Sequence, residues 1–479
     1  MIILQDEENS MRNSLSKSRS RKIFRISAKF SAVLFSSFLV FGAASCSDGS
    51  DSESSGSDGS VSSSSGSSSA SGRTSKTGSS SSSSSSSVYS PSCSDSNASS
   101  VTYSFTNASG VTVTYHALYL VDGETKSYSA DDFTDGRVEV SASNEIAFLV
   151  INGGSLTLDG VEITKSGDAT TSSISDDAYN FYGLNDAVVA VGSGTSAVLN
   201  SCTISSSAIH GNAVFATDDA EITVSCGITM ENTQERGGRG FFASYGGSVS
   251  STDGGVVIST SGNNSAAFAT DRGGGTITVT GEGNILSTQA NDSPCIYSTG
   301  TITVSGVTGT AAAAQAIVIE GKNQVSASGC VFTGARSGQG CVMLYQSMSG
   351  DASDSDASSS YTTASLTDCV FYNQFASSGE AMFYVTNTEA KVTEIGCTFY
   401  AGTGGTEYSS GYVLVLCDSN SWGTSGSNGG NMTLSASGET LSGTLTASES
   451  DSSIAVTCGA SNLVKGSGSG SVTVNGEAL

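Results

Sequence analysis

Charged and aromatic side chains next to short apolar tetrads are the residues of this chain whose types could do chemistry. If the tetrads stack, these side chains form one polar column, made of Asp271, Arg272, Tyr297, Glu320, Lys322 and Tyr345. Carboxylates could act as general acid and base in glycoside hydrolysis, and an arginine or lysine could remove the proton α to a uronate carboxylate. The same column could hold an extended sugar chain without reacting. A third interpretation is that neighbouring charges in these turns simply pair with each other.

A second candidate site is the serine-rich segment that carries Asp351, Asp354 and Asp356. Carboxylate oxygens are hard ligands that suit Ca²⁺, but the segment lacks the glycine and the terminal glutamate of an EF-hand loop. A solvated loop is the alternative. The chain has no CxxC motif, and its two histidines have no partner at ligand spacing, so no transition-metal site is predicted. We therefore predict no cofactor, with Ca²⁺ at the three aspartates as the only alternative.

The tetrads that would position the polar column recur roughly every 22 to 30 residues, apart from two gaps of about 40, and such a period is typical of a stacked solenoid. They occupy residues 147–150, 187–190, 213–216, 240–243, 267–270, 295–298, 317–320, 341–344, 381–384 and 412–415. Each is followed by a polar turn rich in glycine and aspartate. One repeat cannot bury its own apolar face, so the repeats must stack to form a core.

Two further strand-like segments accompany each tetrad. Residues 276–279 and 301–304 alternate threonine with isoleucine or valine, the pattern of a strand with one face inward. A third segment has the form Cys-x-Ile or Cys-x-Phe, as at Cys330. We predict an all-β fold, a right-handed parallel β-helix of about ten to twelve coils. A β-propeller is the alternative, although its blades would be longer and would carry Trp-Asp signatures.

The beginning of the chain is typical of an export signal. Basic residues precede the apolar run 30–44, which ends in small residues before Cys46. We predict a signal peptide over residues 1–45, with Met11 as an alternative start, and lipidation of Cys46. Residues 46–99 contain the lipidated cysteine and a Ser/Gly-rich linker with too few apolar residues to order it. Cleavage by signal peptidase I and plain secretion are the alternative.

The remaining residues, 100–479, are predicted to form the β-helix domain, with an N-terminal cap over about 100–140 and closing strands over about 461–479. The chain carries 44 acidic and 19 basic residues, a net charge of -25. Such a polyanion should repel nucleic acid, so no nucleic-acid partner is expected. The eleven cysteines are predicted to include Cys46 and a set of stacked buried thiols, with a disulfide between Cys202 and Cys226 as an alternative.

Five segments carry a resemblance to a known group: residues 269–273, 293–300, 316–323, 342–346 and 383–387. They resemble segments of bacterial surface proteins of the pectin-lyase-like, right-handed parallel β-helix group, many of which are adhesin-like and have no established activity. The similarity extends over roughly residues 140–460. It implies an exported, adhesive protein of the cell envelope. The catalytic motifs of the lyase and polygalacturonase members have no counterpart that we can place here, so no catalytic role is transferred.

These observations lead to one expected function and two alternatives. We expect a protein anchored to the lipid bilayer through Cys46, on the outer membrane or cell surface of a bacterium, that binds polysaccharide or a host surface ligand without catalysis. A carbohydrate-active enzyme, either a polysaccharide lyase or a glycoside hydrolase, is the first alternative. A purely structural spacer is the second.

Overall fold

The computed structural model describes residues 87–172, 174–225, 229–232, 237–347, 358–419 and 429–479. Several predicted features lie outside these residues, and they stay predictions: the signal peptide, the start at Met11, the lipidated Cys46 and most of the linker. The three aspartates of the Ca²⁺ candidate, Asp351, Asp354 and Asp356, also lie outside the described residues, as does Cys226.

The described residues form three long sheets of mainly parallel strands. Sheet 1 has fifteen strands: Ser87–Tyr89, Ser99–Ser104, Val111–Asp122, Glu145–Ile151, Val188–Val191, Val214–Thr217, Phe241–Ala243, Phe268–Thr270, Ile296–Ser298, Ile317–Glu320, Val342–Tyr345, Phe383–Thr386, Val413–Asp418, Leu441–Ala447 and Ser461–Lys465. Sheet 2 has fourteen strands: Thr125–Ser129, Ser155–Asp159, Ser196–Asn200, Glu221–Val224, Ser248–Ser251, Thr276–Val279, Thr301–Ser305, Gln324–Ser328, Thr362–Thr367, Glu389–Ile395, Asn431–Ser437, Ser453–Thr457, Ser471–Val474 and Glu477–Ala478. Sheet 3 has eleven strands: Arg137–Val140, Glu162–Lys165, Thr203–Ser206, Thr229–Asn232, Val257–Thr260, Asn284–Thr288, Val307–Ala311, Val331–Gly334, Val370–Asn373, Thr398–Ala401 and Thr406–Glu407.

From Val111–Asp122 to Thr398–Ala401, successive strands visit the three sheets in turn, and each strand pairs with its equivalent one repeat later. From Val413–Asp418 to Ser471–Val474 the strands alternate between sheets 1 and 2. The pairing is in register: Thr276 lies beside Thr301 and Ile277 beside Ile302. Each strand of such a stack finds its main-chain partners in neighbouring repeats, which satisfies backbone groups that one repeat alone would leave unpaired. This topology is consistent with a β-helix solenoid, and it confirms that the fold is all-β and built from repeats.

The core lies between the three sheets. Strands of sheets 2 and 3 bury every second residue, as in Thr301–Ser305, and phenylalanines stack from repeat to repeat. Phe371 lies between Phe332 and Phe399, with ring centroids 5.6 and 5.9 Å apart. Stacked rings of this kind add to the free energy gained from apolar burial.

Sheet 1 differs from the other two sheets because most of its strands between Glu145–Ile151 and Phe383–Thr386 are buried on both faces. All four residues of Ile317–Glu320 are buried, and so are those of Val214–Thr217. In the N-terminal half, the helix Asp176–Tyr182 places aromatic rings in one buried cluster with the outer residues Phe215 and Phe242. Burial on both faces is the reason that the tetrads are continuous apolar runs, whereas the other strands alternate.

The ends of the stack differ from its middle. Strand Ser87–Tyr89, inside the residues predicted as linker, pairs with Val111–Asp122, and residues 100–140 supply the first strands of sheets 2 and 3. At the other end, Glu477–Ala478 folds back antiparallel on Ser471–Val474. Three short 3-10 helices complete the secondary structure discussed here: Ala130–Asp132, Thr134–Gly136 and Ala376–Ser378. Within the described ranges no helix is both long and apolar enough to cross a membrane.

Candidate functional site

Three residues of the predicted column meet on the outer face of sheet 1. Glu320 lies beside Tyr345 in the register of neighbouring strands. The Tyr345 hydroxyl donates a hydrogen bond of 2.7 Å to Glu320 Oε2, and the Tyr297 hydroxyl donates to the same oxygen. Stacking of neighbouring strands therefore brings an acid between two phenols, and these three residues belong to the six of the predicted column.

The two phenols around Glu320 are held in their protonated form. Burial raises the pKa of Tyr297 and of Tyr345 well above the usual value, and the nearby Glu320 carboxylate raises both further. A phenolate next to a carboxylate would place two negative charges together in a desolvated position. Both tyrosines are therefore hydrogen-bond donors, and the carboxylate is their common acceptor.

A second tyrosine–carboxylate pair lies farther along the same face. The Tyr384 hydroxyl donates to Asp418, with distances of 3.0 and 3.3 Å to the two carboxylate oxygens. Val318, Met343 and Tyr384 form one buried cluster with Tyr345 on this face. The C-terminal half of sheet 1 thus combines aromatic and apolar surface with regularly placed carboxylates.

Asp271 and Arg272 occupy different surroundings from each other. The Arg272 guanidinium lies 4.2 Å from the centre of the Phe181 ring, on the helix that covers sheet 1. Asp271 is buried, accepts a 2.9 Å hydrogen bond from the Arg272 backbone N–H, and is close enough to raise the pKa of Tyr297. Asp271 therefore belongs electrostatically with the tyrosines, whereas Arg272 packs against the aromatic cluster.

Lys322 lines a cleft at the corner between sheets 1 and 2. The cleft has a volume of about 610 Å³. Its lining is almost entirely polar: Lys322, Gln346, Ser360, Tyr361, Asn387, Thr388, Glu389, Gly429, Asn431 and Asp451. We call it the corner cleft. It spans several repeats at one corner, so the predicted column is divided between the outer face of sheet 1 and this cleft.

Side-chain hydrogen bonds to the backbone shape the corner cleft. Asn387 has a left-handed backbone with φ of 55°, and its Nδ2 donates a 2.8 Å hydrogen bond to the Gln346 carbonyl in the preceding repeat. Asn323 accepts the Ser358 N–H at 3.1 Å, and this holds the end of a long insertion. The insertion changes neither sheet, because both flanking strands stay in register. Asparagine tolerates the left-handed region, which explains its use at the turn.

An aromatic ring and two further charges border the corner cleft. The Lys391 ammonium lies 3.4 Å from the centre of the Tyr361 ring, a cation–π contact that fixes the ring at the edge of the cleft. Glu389 and Asp451 place two exposed carboxylates on its lining. The cleft thus offers donors, acceptors and a ring in one open surface.

The sequence analysis missed a second polar group, which is sealed inside the N-terminal repeats. We call it the buried ionic cluster; its members are Glu145, Lys165, Asn185 and Asp186, none more than 2% exposed. Lys165 Nζ donates to the Gly167 carbonyl, and Asn185 Nδ2 donates to the same oxygen at 3.0 Å. The lysine amine and the asparagine carboxamide therefore share one hydrogen-bond acceptor.

Burial perturbs every ionisable member of the buried ionic cluster. Burial lowers the pKa of Lys165 to about 8, although Asp186 and Glu145 oppose the shift. It raises the pKa of Asp186 to about 7, against the hydrogen bonds that Asn212 donates, and it raises the pKa of Glu145 as well. Three buried oxygens accept no hydrogen bond: Glu145 Oε1, Asn185 Oδ1 and Asp186 Oδ2. Such strongly shifted groups, close together, are more typical of reactive sites than of cores.

A signal for this cluster was present in the sequence. The strand Glu162–Lys165 alternates, and Lys165 falls on the inward-facing phase with Ile163. A lysine at a core position needs a specific partner or a shifted pKa, because an ammonium is costly to bury. The tetrad pattern also marked residues 187–190, and Asn185 and Asp186 immediately precede that tetrad. A lysine at an inward-facing position of a strand could therefore have been recognised as the sign of a buried polar site.

Nine cysteines of the described ranges are free thiols. Cys369 lies between Cys330 and Cys397 in neighbouring repeats, and its thiol donates to the Ala327 and Thr367 carbonyls at 3.4 and 3.3 Å. The contact with Cys330 is the main cause that raises the pKa of Cys369, to about 11. Stacked thiols were the predicted arrangement of the repeat cysteines. Cys202 is one of these nine free thiols, which contradicts the alternative of a disulfide between Cys202 and Cys226.

Comparison with known protein families, with characterised proteins and with solved structures finds no match to this chain. Among the described residues, no group of three or more histidine, cysteine, aspartate or glutamate side chains is arranged to hold a metal ion. The resemblance to pectin-lyase-like surface proteins therefore stays a prediction, and so does Ca²⁺ binding.

Proposed function

We propose that this chain is a lipid-anchored β-helix protein of the bacterial cell envelope that binds a hydroxyl-rich glycan in the corner cleft without converting it. The observation that carries the proposal is the lining of that cleft, where amides, carboxylates, an ammonium and a tyrosine ring converge. Its volume of about 610 Å³ is within the range of small-ligand sites.

The chemistry of the lining favours sugars over apolar ligands. Amides such as Asn387 and Asn431 both donate and accept hydrogen bonds, and carboxylates accept them, as the many hydroxyls of a sugar require. The Tyr361 ring, held by Lys391, offers the flat apolar surface on which a pyranose face can pack. An apolar ligand would leave these polar groups desolvated without partners.

Charge favours an uncharged glycan. Glu389 and Asp451 lie in the cleft beside Lys322, so the lysine is locally balanced by carboxylates. The chain as a whole has a net charge of -25, which repels polyanions at long range. A neutral polysaccharide encounters neither penalty.

The finer architecture and the cellular location belong to the same proposal. The strong preference of parallel crossovers for one hand supports a right-handed coil of about ten to twelve repeats. The basic and apolar start of the chain and Cys46 support export and acylation. Incorporation of labelled palmitate, with Cys46→Ala as control, tests the anchor: an unlabelled parent chain would mean plain secretion.

The binding proposal is tested with the full chain on an array of neutral and acidic glycans, followed by calorimetry on the best ligand. Tyr361→Ala should weaken binding about tenfold through loss of ring packing. Tyr400→Ala is the matched control, because Tyr400 stacks on Tyr372 at 5.0 Å on sheet 3. Equal loss in both variants, or loss only in Tyr400→Ala, would exclude the corner cleft.

The same preparation decides between binding and catalysis. A lyase would release unsaturated products from the bound glycan, and a hydrolase would release new reducing ends. The enzymatic alternative rests on one observation: the cleft contains groups that could act as acid and base, namely Glu389, Asp451 and Lys322. Turnover that disappears in Glu389→Gln or Asp451→Asn would replace the binding proposal with an enzymatic one.

A further inference from the structure

The buried ionic cluster has the composition of a self-reacting site rather than of an ion pair alone. It contains an amine, a carboxamide and a carboxyl group in one desolvated volume, none of them more than 2% exposed. Nothing in the corner cleft or in the proposed glycan binding uses these groups. Their chemistry therefore needs its own explanation.

The amine and the carboxamide are adjacent. Lys165 Nζ and Asn185 Nδ2 both donate to the Gly167 carbonyl oxygen. Two nitrogens bound to one oxygen are close neighbours, and the Asn185 carboxamide carbon is one bond from Nδ2. A second hydrogen bond of 3.0 Å from Nδ2 to the Ile209 carbonyl fixes the orientation of the carboxamide. The amine is thus held beside a potential electrophile.

The charge state of the cluster suits nucleophilic attack. Desolvation lowers the pKa of Lys165 to about 8, so the neutral amine is accessible near neutral pH. Desolvation raises the pKa of Glu145, which favours its protonated form. The groups that act on Lys165 are Asp186, Glu145, Asp168 and Cys93. Glu145 Oε1 and Asn185 Oδ1 are both buried without a hydrogen-bond partner, as expected if the carboxyl is to donate and the amide oxygen to accept during reaction.

We propose that Lys165 and Asn185 form an intramolecular isopeptide bond. The lone pair of neutral Nζ attacks the Asn185 carboxamide carbon, and a new C–N bond forms. Glu145 transfers one proton from Nζ to Nδ2, after which the carbon–Nδ2 bond breaks and ammonia leaves. The products are one secondary amide and one ammonia, so atoms balance and no oxidant or reductant is needed.

The bond would tie two elements of neighbouring repeats. Lys165 ends the sheet 3 strand Glu162–Lys165, and Asn185 precedes the sheet 1 strand Val188–Val191. The segment between them carries the helix Asp176–Tyr182, which covers the outer face of sheet 1. A covalent closure of this loop would fix the helix over the sheet by restricting the unfolded chain.

Peptide mapping of the full chain tests the proposal without any variant. Trypsin cannot cleave at an acylated lysine, and Lys165 is the only tryptic site between Arg137 and Arg236. We expect one peptide over residues 138–236, lighter by one ammonia. After further cleavage before each aspartate, the fragment with Lys165 (residues 159–167) and the fragment with Asn185 (residues 177–185) should stay joined. Cleavage at Lys165 with no loss of ammonia would overturn the proposal.

Variants assign the roles within the cluster. Lys165→Arg keeps a positive charge but should abolish the ammonia loss. Glu145→Gln should also reduce the cross-linked fraction to background, with circular dichroism to confirm the β fold. A cross-link that persists in Glu145→Gln would overturn the role of Glu145. A bond from Lys165 to Asp186, recognised by loss of water in place of ammonia, would overturn the assignment of Asn185.

Discussion

Lys165 and Lys322 each belong to a polar group at a corner of the stack, but one group is sealed from solvent and the other is open. Lys165 is fully buried, and its pKa is lowered to about 8 by desolvation. Lys322 is partly exposed and lines a cleft of about 610 Å³. The same residue type is therefore a desolvated amine in one place and a partly exposed side chain on the lining of a cleft in the other. Burial, more than residue identity, decides which chemistry a polar corner can perform.

The largest expected difference between the two groups is in pH dependence. The folded protein keeps the proton on Asp186 up to about pH 7, whereas the unfolded chain releases it near its ordinary pKa of about 3.9. The unfolded state therefore binds fewer protons between these values, and the free energy of unfolding should fall by about 4 kcal/mol as the pH rises from 4 to 7.

Urea denaturation at a series of pH values measures this fall. Asp186→Asn keeps the Oδ1 acceptor for Asn212 and should remove the slope, whereas Asp451→Asn in the open cleft should leave it unchanged. A slope that survives in Asp186→Asn would mean that another buried group, such as Glu145, causes it.

Removal of each lysine should sharpen the comparison. Lys165→Met removes the buried amine and with it the proposed bond to Asn185, and we expect a loss of about 3 kcal/mol in the free energy of unfolding. Lys322→Met should change it by about 0.5 kcal/mol or less, because the side chain is at the surface. Chemical denaturation of the two variants at one pH gives the difference. Equal losses would show that burial does not distinguish the two corners.

Glu320 is an intermediate case, since it is buried like the ionic cluster but lies close to the corner cleft in sequence. Tyr345→Phe removes one of its two phenol donors, and we expect a loss of about 1.5 kcal/mol in the free energy of unfolding. Tyr372→Phe keeps the ring stack on sheet 3 and serves as control, with an expected change of about 0.5 kcal/mol or less. The measurement is the shift of the urea midpoint at constant m-value.

The smallest effect is expected at the edge of the cleft. Lys391→Gln removes the cation above the Tyr361 ring and should cost about 0.5 kcal/mol, the value typical of an exposed cation–π contact. Thermal unfolding monitored by circular dichroism has the precision needed if Lys391→Gln and the parent chain are measured together. A loss as large as that of Lys165→Met would contradict the assignment of this corner as open.

The repeat predicted that Glu320 and Tyr345 lie in neighbouring turns of one stack, but not their register. Aligned end to end, the tetrads 317–320 and 341–344 would place Glu320 beside Leu344, whereas the structure places Glu320 beside Tyr345. The position of Lys322 in the corner cleft could not be predicted, because the chain turns a corner after Glu320. Nor could Tyr361, which reaches the cleft from the end of a long insertion whose path no periodicity specifies.

The buried ionic cluster was missed for a different physical reason. Its members come from separate segments, and only the fold brings Glu145, Lys165 and Asn185 together. Strand alternation could show that Lys165 points inward, but not which groups surround it. The helix Asp176–Tyr182 that helps to cover this end was predicted only as an insertion between repeats. A repeat period can be recognised within one stretch of sequence, whereas the burial of groups from separate segments in one place cannot.

The unequal corners of neighbouring repeats have a practical consequence. In one repeat the chain passes directly from Glu320 to Gln324, and in the next it adds a long segment between Tyr345 and Thr363, yet both pairs stay aligned. At this corner, the length of the connection between sheets 1 and 2 can therefore change while the flanking strands keep their register. Foreign peptides grafted there would be displayed beside the corner cleft at little cost to folding.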